Sequence, residues 1–151
     1  MLQNGIFPNS YTFVSSLCSN GVCVKFGLKC HGQAIKNGVD YVLQVENSLI
    51  HFNGFYGFVD VVKSLFSDMF VRDLVSWNSM VDAFVKIGDL SNAHKLFDLM
   101  PHKNVISWNV LISGYLIGGN PGCVLKLFRE MSGLRFKGND TTVVCVVAAC
   151  G

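Results

Sequence analysis

"SWNSMVDAFVKIGDLSNAHKLFDLM" occupies residues 76–100, and the chain repeats it 31 residues later as "SWNVLISGYLIGGNPGCVLKLFREM" at 107–131. The two stretches align without a gap. A more diverged copy, "VENSLIHFNGFYGFVDVVKSLFSDM", lies 31 residues earlier, at 45–69. Self-similarity at a fixed period of this length is the sequence signature of repeat proteins. We therefore take the repeat as the unit of the fold.

Each copy predicts two short helices joined by a tight turn. In the copy at 74–104, apolar residues recur at near-helical spacing until Gly88, which ends the run as Gly does at helix C-termini. Asp89 or Ser91 can cap a second helix, and Pro101 closes it because Pro cannot continue a helix. One hairpin cannot bury its apolar faces alone, so neighbouring hairpins must stack. The predicted fold is all-α: a right-handed α-solenoid of helix-turn-helix repeats of 31–35 residues.

Composition agrees with a stacked helical fold and excludes several other classes. Of the 151 residues, 50% are hydrophobic and 15% are charged, which argues against disorder. The net charge of +2 is too small to identify a nucleic-acid partner by its field alone. No apolar run approaches the roughly 20 residues of a membrane span, and the first ten residues lack the pattern of a targeting segment. We expect neither a membrane partner nor a leader in this chain.

The chemistry-bearing residues form no catalytic or metal-binding pattern. The six Cys and four His contain no Cys-x-x-Cys or His-x-x-x-His spacing. No Ser, His and Asp set or Cys and His set is spaced for nucleophilic catalysis. We expect reduced, structural thiols, no metal, no cofactor and no enzyme activity.

The letters of the repeat resemble one family. "DLVSWNSMVDAFVKIGDLSNAHKLFDLMPHKN" at 73–104 is similar to the short motif of plant pentatricopeptide repeat (PPR) proteins, and "NVISWNVLISGYLIGGNPGCVLKLFREM" at 104–131 is similar to their standard motif. "GLKCHG" at 27–32 resembles the centre of their long motif. The resemblance covers the whole chain and is to the subclass that alternates standard, long and short motifs.

This resemblance implies a division of the chain into motifs. It gives the end of a standard motif at 1–9, a long motif at 10–42, short motifs at 43–73 and 74–104, a standard motif at 105–139 and a truncated long motif at 140–151. The C-terminal extension and the DYW deaminase domain found in many relatives of this subclass are not present in this stretch. The resemblance therefore places no editing chemistry here.

The resemblance also implies which residues bind RNA bases. In the family, the fifth and last residues of a motif together read one base, and the second residue belongs to an apolar pair that sandwiches it. The fifth residues are Asn47, Asn78 and Asn109, the last residues are Asp73, Asn104 and Asn139, and the apolar second residues are Val75 and Ile106. Read from the 5′ end of the RNA, the implied bases are uracil, a pyrimidine and a pyrimidine.

Other motif positions do not fit this role. Gln44 occupies the second position of the motif at 43–73, where stacking needs an apolar side chain. Val14 and Val144 occupy the fifth positions of the two long motifs and cannot hydrogen-bond a base edge. Judged by spacing alone, the Asn that follows Trp has another interpretation besides base reading: a polar residue at a helix edge, or a helix cap.

The function implied by the resemblance is non-enzymatic, sequence-specific binding of single-stranded RNA, one base per repeat. It implies a role in cytidine-to-uridine editing or other processing of organelle transcripts, in a mitochondrion or a chloroplast of a plant. RNA-editing accessory proteins are further implied partners. An alternative is a helical protein-binding scaffold that recruits editing partners, which the low net charge and the two Val residues favour. A third alternative is a degenerate gene fragment that folds poorly.

Overall fold

The structure is a computed structural model and describes residues 43–151. The predicted long motif at 10–42, with Val14, and the segment at 1–9 lie outside the described residues. Within 43–151 the chain forms helices and no strand, which confirms the all-α class. These helices are α1 (Leu43–Phe55), α2 (Val59–Asp68), α3 (Leu74–Lys86), α4 (Leu90–Leu99), α5 (Val105–Ile117), α6 (Pro121–Gly133) and α7 (Asp140–Cys150).

The chain divides into two compact units, the first ending at Ser79 and the second beginning at Met80, within α3. In the first unit, α1 and α2 pack against each other as a helical hairpin. The aromatic ring of Trp77 meets the ring of Phe66 edge-on, with 4.9 Å between the ring centroids. The buried apolar side chains of this unit are Leu49, Ile50, Phe52, Val62 and Met69.

In the second unit, successive hairpins stack as the repeat predicts. Helix α4 packs against α5, and α6 and α7 both pack against α5 and against each other. The side chains at the centre of this stack are fully enclosed, and they come from every helix of the unit. Its buried apolar residues are Met80, Val81, Ala83, Phe84, Ala93, Phe97, Met100, Trp108, Leu111, Ile112, Val124, Leu127, Met131 and Cys145.

A glycine in the left-handed conformation ends the first helix of each hairpin. Gly57, Gly88 and Gly119 have φ values of 78°, 81° and 71°. The residue after each glycine donates its backbone N–H to the carbonyl five residues earlier, at 2.9, 3.0 and 2.9 Å. This bond closes the helix end, and glycine adopts the required positive φ without steric cost. The predicted role of Gly88 is confirmed.

The second helices begin and end at the residues that the turn chemistry predicts. Asp89, rather than Ser91, caps α4, and its side chain accepts the backbone N–H of Asn92 at 3.1 Å. Helix α4 ends at Leu99, just before Pro101. Pro121 occupies the first turn of α6, where a missing N–H costs nothing.

The predicted site residues lie on the first helices of the hairpins or directly before them. Helices α1, α3 and α5 begin at Leu43, Leu74 and Val105. The sequence also places the starts of three motifs at these residues, although their division into long, short and standard types stays a prediction. Among residues 43–151, no helix has the length and apolar character that crossing a membrane requires.

Candidate functional site

Asn47, Asn78 and Asn109, which we call the reader residues, lie in the second turn of α1, α3 and α5. Their exposed fractions are only 8%, 9% and 8%. A buried side-chain amide needs hydrogen-bond partners, because leaving its polar atoms without any costs free energy. The partners of each reader therefore decide how its amide group is oriented.

In the first unit, Asn47 is held by two residues that lie far from it in the sequence. Its Nδ2 donates to Oδ1 of Asp73 at 3.1 Å, and Oγ of Ser76 donates to its Oδ1 at 2.6 Å. Asp73 and Ser76 also bond to each other. The backbone N–H of Ser76 donates to Asp73 Oδ1 at 2.9 Å, and the backbone N–H of Asp73 donates to Ser76 Oγ at 3.2 Å.

The second unit contains the same arrangement around Asn109. Its Nδ2 donates to Oδ1 of Asn139 at 2.8 Å, and Oγ1 of Thr142 donates to its Oδ1 at 2.6 Å. The backbone N–H of Thr142 donates to Asn139 Oδ1 at 3.2 Å, and that of Asn139 donates to Thr142 Oγ1 at 3.1 Å. The two sites, each within its own unit, thus have equivalent hydrogen-bond networks made from different residue types.

Asp73, Asn104 and Asn139, which we call the cap residues, each precede the first helix of a hairpin. Asn104 forms a capping box with Ser107, whose backbone N–H donates to Asn104 Oδ1 at 3.0 Å. Such boxes satisfy helix N–H groups that have no partner within the helix. Asn78 belongs to the first unit and Asn104 to the second.

The direction of every bond around Asn109 follows from proton counting. A backbone N–H can only donate, so the Asn139 atom that faces the N–H of Thr142 is its oxygen. Thr142 has a single hydroxyl proton and two acceptors within reach, Asn109 Oδ1 at 2.6 Å and Asn139 Oδ1 at 3.1 Å. The shorter contact takes the proton. The amide of Asn109 therefore points its oxygen at Thr142 and its nitrogen at Asn139.

Asp73 and Asn139, whose bonds to a reader are given above, differ in the outer atom of the side chain. The bonds that Asp73 accepts from Asn47 and Ser76, and those that Asn139 accepts from Asn109 and Thr142, all go to Oδ1. The outer atoms of the two side chains are therefore Oδ2 of Asp73 and Nδ2 of Asn139. The first of these atoms is a hydrogen-bond acceptor and the second is a donor. Each site thus presents one outer polar atom of opposite character beside a reader of fixed orientation.

The network also acts on the ionisation of Asp73. Partial burial raises the pKa of its carboxyl group. Hydrogen bonds from the backbone and hydroxyl of Ser76, from Asn47 and from the backbone of Val75 lower this pKa, and together they outweigh the effect of burial. The net pKa lies below the ordinary value of 3.8. Asp73 is therefore a carboxylate at neutral pH, and it is an acceptor only.

An open groove of about 560 Å³ lies beside Asn109 in the second unit. Its wall contains both members of the reading pair, Asn109 and Asn139, and the second residues of two successive predicted motifs, Ile106 and Thr141. An ion pair also lies in the wall, with 2.6 Å between Nζ of Lys86 and Oδ2 of Asp82. The other residues that line this groove are Val85, Val110, Ser113 and Ile117.

The predicted base-sandwiching residues are exposed although they are apolar. The exposed fractions are 55% for Val75 and 58% for Ile106, which occupy equivalent positions in α3 and α5. Gln44, at the equivalent position of α1, is also exposed but polar. Val144, at the fifth position of the last predicted motif, is 66% exposed and offers no hydrogen bond.

Sequence reasoning missed two residues of this site, Ser76 and Thr142. Both are third residues of a predicted motif, and each binds the reader of the motif before it. The available signal was a hydroxyl at the third position of three successive motifs, Ser76, Ser107 and Thr142. Elsewhere in the described part of the chain, no group of three or more His, Cys, Asp or Glu side chains could hold a metal ion.

Comparison with known proteins gives one consistent result. A family model described as the PPR repeat matches residues 75–105 and 106–136. A pentatricopeptide repeat-containing protein of Arabidopsis thaliana is 51% identical over 153 residues, covering 100% of this chain and 29% of the relative. A second relative carries the words chloroplastic/mitochondrial in its name. It is 38% identical over 100 residues, which is 64% of this chain and 16% of the relative.

Another relative from the same plant, a putative pentatricopeptide repeat-containing protein, is 38% identical over 102 residues. This match covers 66% of the chain and 14% of the relative. The chain thus spans less than a third of the length of the curated relatives that it matches.

Proposed function

Because this chain belongs to the pentatricopeptide repeat family, we propose that it binds single-stranded RNA and reads one base with each repeat that carries a reader Asn. Proteins of this family are in general RNA-binding factors that process organelle transcripts, and the family is a non-catalytic one. The single observation that carries the proposal is the pairing of Asn109 with Asn139 in an open groove, matched by the pairing of Asn47 with Asp73.

The orientation of the readers is compatible with either pyrimidine. Asn47 and Asn109 each use one amide N–H on a cap residue and keep a second one as a donor. Uracil and cytosine both carry an acceptor, O2, on the base edge, so one donor suits either pyrimidine. The two bases differ at ring atom 3, where uracil has an N–H donor and cytosine has an acceptor.

The outer atom of the cap residue then distinguishes the two pyrimidines. Oδ2 of Asp73 accepts, so the first site suits the N3–H of uracil. Nδ2 of Asn139 donates, so the third site suits the N3 of cytosine. The proposed reading along the RNA, from its 5′ end, is uracil, a pyrimidine and cytosine.

Stacking supplies the remaining affinity in this proposal. Ile106 and Thr141 line the same groove as the reading pair, so a base in that groove lies between them. Val75 takes the corresponding role for the base read by Asn78. Stacking of bases in single-strand binders is worth about 1–3 kcal/mol per base. Three repeats therefore give weak binding on their own.

We further propose that the whole protein acts in organelle RNA processing, in a mitochondrion or a chloroplast, and that C-to-U editing is the process. Editing accessory proteins are partners in this proposal. The second candidate function is a protein-binding scaffold. The observation that favours it is the exposed apolar face of α7, where Val143, Val144 and Val147 are 55%, 66% and 64% exposed.

The test is a titration of the chain with short single-stranded RNAs in which each of the three read bases is varied through all four bases. The flanking nucleotides of each RNA are all the same purine, so that the three read bases can bind in one register only. We expect tighter binding when the matched pyrimidines are present, and weaker binding with rising salt because phosphate contacts release counterions. Equal affinity for every RNA, or no binding at low salt, would remove the proposed function and leave the scaffold.

A matched pair of variants separates base reading from folding. Asn47 and Asn53 are both buried amides in α1, but the Nδ2 of Asn53 donates only to the carbonyl of Leu49, one turn earlier, at 2.8 Å. Asn47→Ala should remove the preference for uracil at the first base. Asn53→Ala should lower stability and keep that preference. Loss of preference in both variants alike would contradict the assignment of Asn47.

A further inference from the structure

We propose that the hydroxyl groups of Ser76 and Thr142 are positioning groups, which hold the reader Asn of the preceding repeat in the orientation that reads a base. This inference rests on the proposed function and extends it to the third residue of the following motif. Each base-reading site then consists of parts of two motifs: the reader and cap residues of one motif and a hydroxyl from the next.

The shortest hydrogen bonds of both sites support this role. Ser76 Oγ and Thr142 Oγ1 each lie 2.6 Å from the Oδ1 of a reader, Asn47 and Asn109 respectively. Both hydroxyl residues are fully buried, with exposed fractions of 0%. The same contact therefore occurs independently in the two compact units of the chain.

Each hydroxyl proton has two acceptors within reach. The Oδ1 of the reader lies at 2.6 Å in both sites, and the Oδ1 of the cap residue lies at 2.9 Å from Ser76 Oγ and 3.1 Å from Thr142 Oγ1. Ser76 Oγ accepts the backbone N–H of Asp73 at 3.2 Å, and Thr142 Oγ1 accepts that of Asn139 at 3.1 Å. These bonds occupy a lone pair on each oxygen, and the proton then goes to the reader because that contact is the shorter of the two.

Loss of the hydroxyl would leave the Oδ1 of a buried amide without a donor. Such an amide gains by turning that oxygen to water or to an incoming base, because a buried acceptor without a partner is costly. The reader would then offer a base its oxygen in some molecules and its nitrogen in others. A site with a mixed donor and acceptor distinguishes bases poorly, even when the protein remains folded.

The two natural residue types supply the variants for the test. Ser and Thr form the same contact in this chain, so Ser76→Thr and Thr142→Ser keep the hydroxyl. Ser76→Ala and Thr142→Val remove it, and Val preserves the shape of Thr. Asp89→Ala is the control for a weakened helix start, because Asp89 caps α4 through Asn92 and contacts no reader in its capping bond.

The first measurement is the ratio of affinities for matched and mismatched bases at each read position, in the full chain. A hydrogen bond of ordinary strength predicts a roughly three- to tenfold loss of this ratio for Ser76→Ala at the first base and for Thr142→Val at the third. Ser76→Thr, Thr142→Ser and Asp89→Ala should keep the wild-type ratio. A wild-type ratio that survives both deletions would overturn this inference alone, whereas a wild-type chain without base preference would overturn the proposed function together with it.

The second measurement needs no RNA. The side-chain NH₂ signals of ¹⁵N-labelled Asn report the hydrogen bond of each amide, and Asn109→Ala identifies the pair that belongs to Asn109. We expect Thr142→Val to shift this pair and speed its hydrogen exchange, whereas Thr142→Ser and Asp89→Ala leave it in place. An Asn109 signal that is the same in wild type and in Thr142→Val would refute the positioning role, whatever the RNA titration gives.

Discussion

The side chain of Asn109 donates to Oδ1 of Asn139 at 2.8 Å, across 30 residues of sequence. The same oxygen accepts the backbone N–H of Thr142 and so caps α7. The start of one helix and the orientation of a polar side chain on another helix thus depend on one atom. Oδ1 of Asn139 therefore contributes both to stability and to the orientation of the reader, whereas Nδ2 is the atom that we propose to contact the base.

Exchanging the cap residues should exchange the base preference. Asp73→Asn replaces an acceptor by a donor at the outer atom. Oδ1 of the new Asn side chain can still cap α3, as Oδ1 of Asn139 caps α7. We expect the first base to change from uracil to cytosine, with a shift of the affinity ratio of about tenfold, since a hydrogen bond to a charged group contributes about 1.5–3 kcal/mol. Titration with RNAs that differ only at this base measures it.

The reciprocal variant is the control for that exchange. Asn139→Asp should move the third base from cytosine to uracil and leave the first base unchanged. Thermal unfolding of both variants should stay close to wild type, because Asn and Asp are both good helix caps. Unchanged preferences in both variants would show that the outer atom of the cap residue does not read the base.

Asp73 should make stability depend on pH in the acid range. Its folded-state pKa lies below the ordinary value of 3.8, so the carboxylate contributes stability that is fully present above that value and is lost as pH falls through the folded pKa. Asp73→Asn has no proton to gain and should lack this part of the loss. Urea unfolding at pH values from neutral to about 2 measures the difference between the two proteins. Parallel curves for wild type and variant at all pH values would contradict the lowered pKa.

Two isoleucines of α5 should separate binding from stability. Ile106 is 58% exposed and lines the groove, whereas Ile112 has an exposed fraction of 0%. Ile106→Ala should weaken RNA binding by up to about tenfold, since it removes part of a stacking contact, and should hardly change stability. Ile112→Ala should lower the free energy of unfolding by about 2–5 kcal/mol, because it leaves a cavity in the core. Denaturant unfolding and RNA titration of both variants test this pair, and a larger stability loss for Ile106→Ala would contradict it.

Two glycines of the second unit should respond oppositely to alanine. A Cβ at Gly114 would lie 2.9 Å from both Cγ atoms of Val85 and 3.1 Å from Cδ2 of Leu90, whereas a Cβ at Gly122 would meet nothing within 4 Å. Gly114→Ala should therefore lower the free energy of unfolding by about 1–3 kcal/mol through overpacking. Gly122→Ala should be neutral or raise it by up to about 1 kcal/mol, because Ala loses less backbone entropy in a helix. Denaturant unfolding measures both, and equal effects would mean that α3 and α5 move apart at no cost.

Most of the fold within residues 43–151 could be predicted from the repeat. Gly88, Asp89 and Pro101 act locally, through backbone conformation, capping and the missing N–H of Pro, and such effects can be read from neighbouring letters. The motif assignment also identified Asn109 and Asn139 as a pair, although it did so by resemblance to a family. Periodicity alone left Asn109 as a polar residue at a helix edge or as a cap. It is not the cap, because Asn104 caps α5 and Asn109 lies buried in the second turn.

What the sequence determined by itself is the local part of this protein: two helices per repeat, the glycine that ends the first of them, a cap at Asp89 or Ser91, and the apolar faces that require stacking. The tertiary structure alone decided the orientation of the readers. The amide of Asn109 is turned by Thr142, which lies 33 residues away and in another helix. The physical reason is that one hydroxyl proton goes to the nearest acceptor, and only the packing of α7 against α5 brings that acceptor within 2.6 Å.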